Sequence, residues 1–266
     1  MARKKDRVVI KIGSTSVERL GQRKIVNFIS RISKNYDVVL VSSGAGLRGE
    51  KIAQERGIKN LSKKLLCGLG QPELYEDYRR LFLKKGLHSM QFLVSGENND
   101  HQLSWKLQLK EVLKNNVIPI INGNDLLELK DLSYGDNENV AYEAQVITGA
   151  KYLITITDID GVYDSDPNKN SQAKKFRILS CKFIEEILEQ KNLNHLDFYD
   201  SKGVGGMYSK LYYAKNIMNY GGGEIYITNS LRDAEVFLDE DYKFVDKKCT
   251  GTYIYRNHDK GGYVTY

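Results

Sequence analysis

Lys11 stands inside the apolar run Val8–Ile12, directly before Gly13 and Ser14. An ammonium group there is costly to bury unless an anion or a carboxylate meets it. Either it finds such a partner, or the strand is partly exposed and Lys11 faces out. A second lysine, Lys210, ends the stretch Gly203-Val204-Gly205-Gly206-Met207-Tyr208-Ser209, which runs into helical spacing at Leu211, Ala214 and Met218. Backbone N–H groups at such a helix start can cradle phosphate while Lys210 reaches a transferred phosphoryl group; the alternative is a surface loop. Small and polar residues also gather at Ser42-Ser43-Gly44, Asn122-Gly123-Asn124-Asp125 and Thr157-Asp158, each after an apolar run. Open α/β sheets bind ligands outside the carboxyl ends of their strands, so this placement points to a polar small-molecule site.

Other chemistries fail on spacing. Gly44-Ala45-Gly46-Leu47-Arg48-Gly49 spells GxGxxG, but Lys64 stands about 20 positions on, where a dinucleotide fold needs an acid for the ribose. It reads instead as a turn or an anion-holding loop. No GxxxxGK[ST] and no GxSxG occur. Asp164-Ser165-Asp166 opens like a calcium loop, yet Lys169 and Lys175 occupy the positions that require Gly and Glu. His88, His101, His195 and His258 have no metal-ligand spacing.

The elements that must position these residues alternate. β-branched runs at Val8–Ile12, Val38–Val41, Ser89–Val94, Val117–Ile121, Tyr152–Thr157 and Glu224–Thr228 read as strands. Helical spacing follows at Ile25, Phe28, Ile29 and Ile32, and again at Leu103, Leu107 and Leu113. Pro72 suits the first turn of a helix carrying Leu74, Tyr78 and Phe82. Asp136 suits the N-cap of one carrying Val140, Ala144 and Ile147. The order predicts an α/β fold: a three-layer αβα sandwich around a mainly parallel sheet.

Length and composition bound the rest. The chain has 266 residues, 41% hydrophobic and 28% charged, with three prolines; disordered and collagen-like classes are excluded. No apolar stretch is long enough to span a membrane, and the N-terminus has no signal-peptide core, so no membrane partner and a cytoplasmic location are expected. Cys67, Cys181 and Cys249 are odd in number and widely spaced, as expected of inert thiols in a reducing compartment. The net charge of +6 comes from scattered pairs such as Lys63-Lys64, Arg79-Arg80 and Lys247-Lys248, which read as solvated surface; no nucleic-acid partner is expected. No linker or internal repeat divides the chain. It reads as one domain over residues 1–266, with an N-terminal substrate lobe to about residue 150 and a nucleotide lobe over about 151–255.

Seven segments, in order, resemble the glutamate 5-kinase branch of the amino acid kinase family. They are Val9 to Ser14, Val41 to Ala45, Gly70-Gln71, Asn115 to Asp125, Gly135 to Asn139, Thr157 to Pro167, and Gly205 to Lys210. The resemblance implies transfer of a phosphoryl group from ATP to the side-chain carboxylate of L-glutamate, the first step of proline biosynthesis. It implies catalytic roles for Lys11, Lys210 and Glu138, with Glu138 orienting the lysines. Ser43, Gly44, Asn122, Asp125, Asp136 and Asn137 would hold the substrate. Lys11, Gly13, Ser14, Thr157, Asp158, Val204, Gly205, Gly206, Met207, Tyr208, Ser209 and Lys210 would hold the nucleotide. Mg²⁺ would ride on the ATP phosphates, with no direct protein ligand. Feedback inhibition by proline and a homo-oligomer, dimer or tetramer, are also implied. Other acceptors used within the family (aspartate, acetylglutamate or a phosphate monoester) and a non-catalytic ligand sensor are the alternatives. Two positions depart from the pattern: Glu138 replaces Asp in GDNDN, and Gly123 replaces Glu in NEND. The chain stops soon after Tyr255, so the C-terminal RNA-binding-like (PUA) domain of many members is expected to be missing.

Overall fold

The apolar runs become neighbouring strands of a single sheet. The computed structural model describes residues 5–95, 99–127, 137–189, 207–220, 222–239, 249–255 and 263–265. Its first half runs β1 (Asp6–Ile12), α1 (Ser14–Leu20), α2 (Gln22–Ile32), β2 (Tyr36–Ser42), α3 (Ala45–Arg56), α4 (Lys63–Leu83), β3 (His88–Val94), α5 (Asn99–Lys114) and β4 (Val117–Gly123). The second half follows with α6 (Asn137–Thr148), β5 (Tyr152–Ile156), β6 (Val162–Tyr163), β7 (Lys175–Ser180), α7 (Cys181–Glu189), α8 (Met207–Asn219), β8 (Glu224–Thr228), α9 (Leu231–Asp239), β9 (Thr252–Tyr255) and β10 (Tyr263–Thr265). The strand order is β10-β7-β9-β8-β5-β1-β2-β4-β3, with β6 paired to β7. From β3 to β8 every pairing is parallel. β9 then runs antiparallel to β8, and β10 antiparallel to β7.

Alternation along the strands creates the three layers. Val9, Val39, Val41 and Ile121 enter one core with Leu109 of α5, Ala144 of α6 and Leu211 of α8. Val8, Ile10, Leu40 and Ile120 enter the other with Ile25 of α2, Tyr78 of α4 and Phe237 of α9. Both faces of the central strands are therefore covered, which accounts for their continuous apolar sequence. Each fully buried Ile or Phe contributes roughly 1.5–3 kcal/mol.

One helix start differs from the sequence reading. Pro72 lies inside α4, not in its first turn. The helix begins nine residues earlier, where the Ser62 hydroxyl accepts from the Leu65 N–H at 3.4 Å. Pro72 is exposed, and it withholds one N–H from the carbonyl of Gly68. The helix continues because its other face is pinned to α3. A Cβ on Gly70 would lie 2.0 Å from the Ala45 carbonyl oxygen, and one on Gly49 would lie 1.8 Å from that of Leu66. The two backbones touch where no side chain fits. The proposed N-cap Asp136 lies outside the described residues, although α6 does begin at Asn137. The short strands β6, β7, β9 and β10 were not legible as strands in the sequence.

Candidate active site

Strand β1 has β2 on one side and β5 on the other, so the order of the sheet reverses around it. That reversal opens a crevice at the carboxyl ends of these strands. Ile12 pairs with Ser42 and with Ile156, which brings Gly13, Ser43 and Thr157 side by side at the rim. Gly44 then turns the chain into α3 with φ of 111°, a conformation that a residue with a Cβ rarely adopts.

Lys11 shares its face of β1 with Val9, the face covered by α6 and α8. It is 5% exposed, and its Nζ donates to Glu138 Oε1 in the first turn of α6. From α8, Lys210 brings its Nζ to 2.9 Å from the same oxygen. Two ammonium groups thus converge on one buried carboxylate, and the three charges sum to +1. Burial pushes the Glu138 carboxyl upward, but the opposing charges and hydrogen bonds of Lys11 and Lys210 outweigh it and hold it at about 2. Glu138 therefore draws two cations to one point, where an incoming anion would meet both.

Beside this cluster lies a network of neutral amides. Asn137 Nδ2 donates to Ser43 Oγ and to Asn122 Oδ1, both at 2.8 Å. Its Oδ1 accepts from the Gly123 N–H at 3.2 Å. Asn122 Nδ2 in turn donates to Gln71 Oε1 of α4 at 2.6 Å. The network ties β2, β4, α4 and α6 together and sets hydroxyl and amide groups along one wall.

Lys11, Gly13, Ser14, Ser43, Gly44, Asn122, Asp125, Asn137, Thr157, Asp158 and Lys210 line a single open cleft of about 460 Å³. Glu138 sits behind the two lysines. Met207 is buried in the core and Tyr208 stacks on Tyr212 on the outer face of α8, so neither side chain lines the cleft. Ser209 is half-buried and does not line it either. Asp136, Val204, Gly205 and Gly206 lie outside the described residues.

The structure adds four side chains that spacing alone did not reveal. Arg19 donates to the Thr157 carbonyl at 3.3 Å and to that of Asn229 at 2.8 Å, fixing the far rim. Lys63 and Glu50 also line the cleft. Cys67, also in the wall, has its thiol pushed up to about 12 by burial and by Asp125, so it is not a nucleophile. Cys67, Cys181 and Cys249 are all buried, and none of the three is in a disulfide. Among the described residues, no group of three or more His, Cys, Asp or Glu side chains could hold a metal ion, and no helix is long and apolar enough to cross a membrane.

The amino acid kinase family profile matches residues 6–229. Glutamate 5-kinase from Bacillus cereus (strain B4264) is 30% identical over 266 residues, covering 94% of this chain and 69% of that protein. Glutamate 5-kinase 2 from Bacillus subtilis (strain 168) is 33% identical over 261 residues, covering 93% and 67%. Among solved structures, carbamate kinase from Giardia lamblia bound to AMP-PNP superposes with a TM-score of 0.64 at 15% identity, over 95% of this chain and 99% of that one. UMP kinase from Bacillus anthracis gives 0.62 at 17% identity, over 99% and 100%. At such identities the structural likeness is one of fold.

Proposed function

The chain belongs to the amino acid kinase family, and from that premise we propose that it transfers the γ-phosphoryl group of ATP to the side-chain carboxylate of L-glutamate, yielding L-glutamyl 5-phosphate. The observation that carries this reading is the convergence of Lys11 and Lys210 on Glu138 at the floor of the cleft.

A glutamate side chain has a free pKa of about 4.3, so the acceptor is already ionised at neutral pH and needs no general base. The obstacle is repulsion between an anionic acceptor and an anionic donor. Phosphoryl transfer is then chiefly positioning and charge stabilisation. Lys11 and Lys210 supply the charge from two different elements, held in place before substrate arrives. Ser43, Asn122 and Asn137 orient the acceptor, with Asp125 facing its ammonium group. Gly13, Ser14, Thr157 and Asp158 form the nucleotide side.

Mg²⁺ fits as a passenger on the nucleotide phosphates, because Glu138 is already engaged by two ammonium groups and the described residues hold no cluster of carboxylates that could bind a metal. When bound there it neutralises phosphate charge. Proline inhibition, a homo-oligomeric state and a cytoplasmic location complete the reading, the last in keeping with three buried cysteines outside any disulfide.

The test traps the acyl phosphate with hydroxylamine. ATP, Mg²⁺ and each candidate acid are supplied in turn, and hydroxamate is scored. Hydroxamate with L-glutamate, and not with aspartate or N-acetylglutamate, is the expected result. Lys210→Ala, checked for folding by circular dichroism, should lose about 10²–10³ in turnover. Glutamate-dependent ATP consumption that persists near the wild-type rate would remove Lys210 from the mechanism.

A further inference from the structure

The proposed acceptor carries three charges: the reacting carboxylate, an ammonium group and a second carboxylate. The lysine pair accounts for the first and Asp125 for the second. Of the cations that line the cleft among the described residues, Lys11 and Lys210 are committed to Glu138, and Lys63 remains. No described carboxylate lies within ion-pair distance of Lys63, although Glu50 and Asp125 line the same cleft. Resting on the acceptor reading above, we propose that Lys63 binds the second, non-reacting carboxylate of the acceptor and so makes the site selective for a dicarboxylic amino acid.

Three observations support the assignment. Lys63 lies on the cleft wall with Ser43, Asn122 and Asn137, the groups that would orient the acceptor. Its charge and that of Asp125 act on the same thiol, Cys67, in opposite directions. Lys63 therefore stands at one point of the wall with two acids, Asp125 and Glu50, so that both signs of charge are present there to complement an α-amino acid head. Finally, Lys63 opens a helix of 21 residues whose first turn holds no acidic residue. Helix starts favour acids, so a lysine there gains nothing from the helix itself. A ligand carboxylate gives the position a use that helix stability does not.

The experiment compares L-glutamate with its α-amide, which keeps the reacting carboxylate and lacks the other, in the hydroxamate assay. Wild type is expected to use the α-amide poorly. Lys63→Gln is expected to raise the KM for L-glutamate about 10- to 100-fold. It should treat the two acceptors nearly alike, with kcat and the KM for ATP near wild type. Its melting temperature should be unchanged or slightly higher, because an unfavourable charge has left the helix start. Lys63→Arg should retain most of the affinity for glutamate. An unchanged KM for glutamate in Lys63→Gln, or undiminished discrimination against the α-amide, overturns the role of Lys63 while the acceptor reading stands. Absence of hydroxamate with wild type and glutamate overturns the acceptor reading, and this assignment with it.

Discussion

Glu138 and Asp233 are both buried carboxylates in the first turn of a helix, α6 and α9 respectively, yet they do opposite things. Asp233 is enclosed by neutral donors: the hydroxyls of Tyr226 and Thr228, and the backbone N–H groups of Thr250 and Gly251 at 2.7 and 3.1 Å. Burial first, and the neighbouring Asp233 second, drive the Tyr226 hydroxyl far above its ordinary range, so it stays protonated as a donor. The cluster ties β8, α9 and the segment before β9 into one piece. Glu138 instead collects two cations that line a cleft. A buried acid satisfied by neutral groups fastens the chain; one outnumbered by ammonium groups prepares a place for an anion.

The strongest attack on that contrast is Glu138→Gln. Without its charge, Lys11 and Lys210 lose their shared anchor, and turnover should fall about 10²–10³. Steady-state kinetics with glutamate and ATP checks it. Asp233→Asn should act on stability alone, costing about 1–3 kcal/mol by denaturant unfolding, with kcat and KM unchanged. If Asp233→Asn impaired turnover as Glu138→Gln does, the division between fastening and function would collapse. The smallest effect is in acid. The folded Glu138 carboxyl is held at about 2, below its unfolded value, so its charge contributes stability that is complete above about pH 4.3 and is lost as pH falls towards 2. The difference in melting temperature between wild type and Glu138→Gln should therefore shrink across that interval. A difference that stays constant would mean that the carboxylate charge is not what holds the lysines.

Much of this was legible from residue type and order. A lysine within an apolar strand, Lys11, had either to face water or to meet a carboxylate, and it meets Glu138. Small polar residues after apolar runs marked the strand ends that form the cleft. The three layers followed from the repeated strand–helix order. What escaped notice depends on contacts distant in sequence. Pro72 looked like a helix start because its ring fits a first turn, but the cap at Ser62 and the α3–α4 packing prevail. β7 alternates charged and apolar residues only over Lys175–Ile178, too short a stretch to stand out. Lys63 looked like solvated surface because its sequence neighbours do not reveal that α4 opens on the cleft wall.

The backbone contact between Gly49 and Leu66, and between Gly70 and Ala45, has a mechanical consequence. Helices that meet through interdigitated side chains can shift by small rotamer changes; helices that meet backbone to backbone have no such slack. The segment leaving Gly44 and the end of α4 that bears Lys63 must therefore move as one piece. The stretch of wall that carries Lys63 is therefore braced before any ligand arrives, and a group bound there meets a surface whose shape is already set.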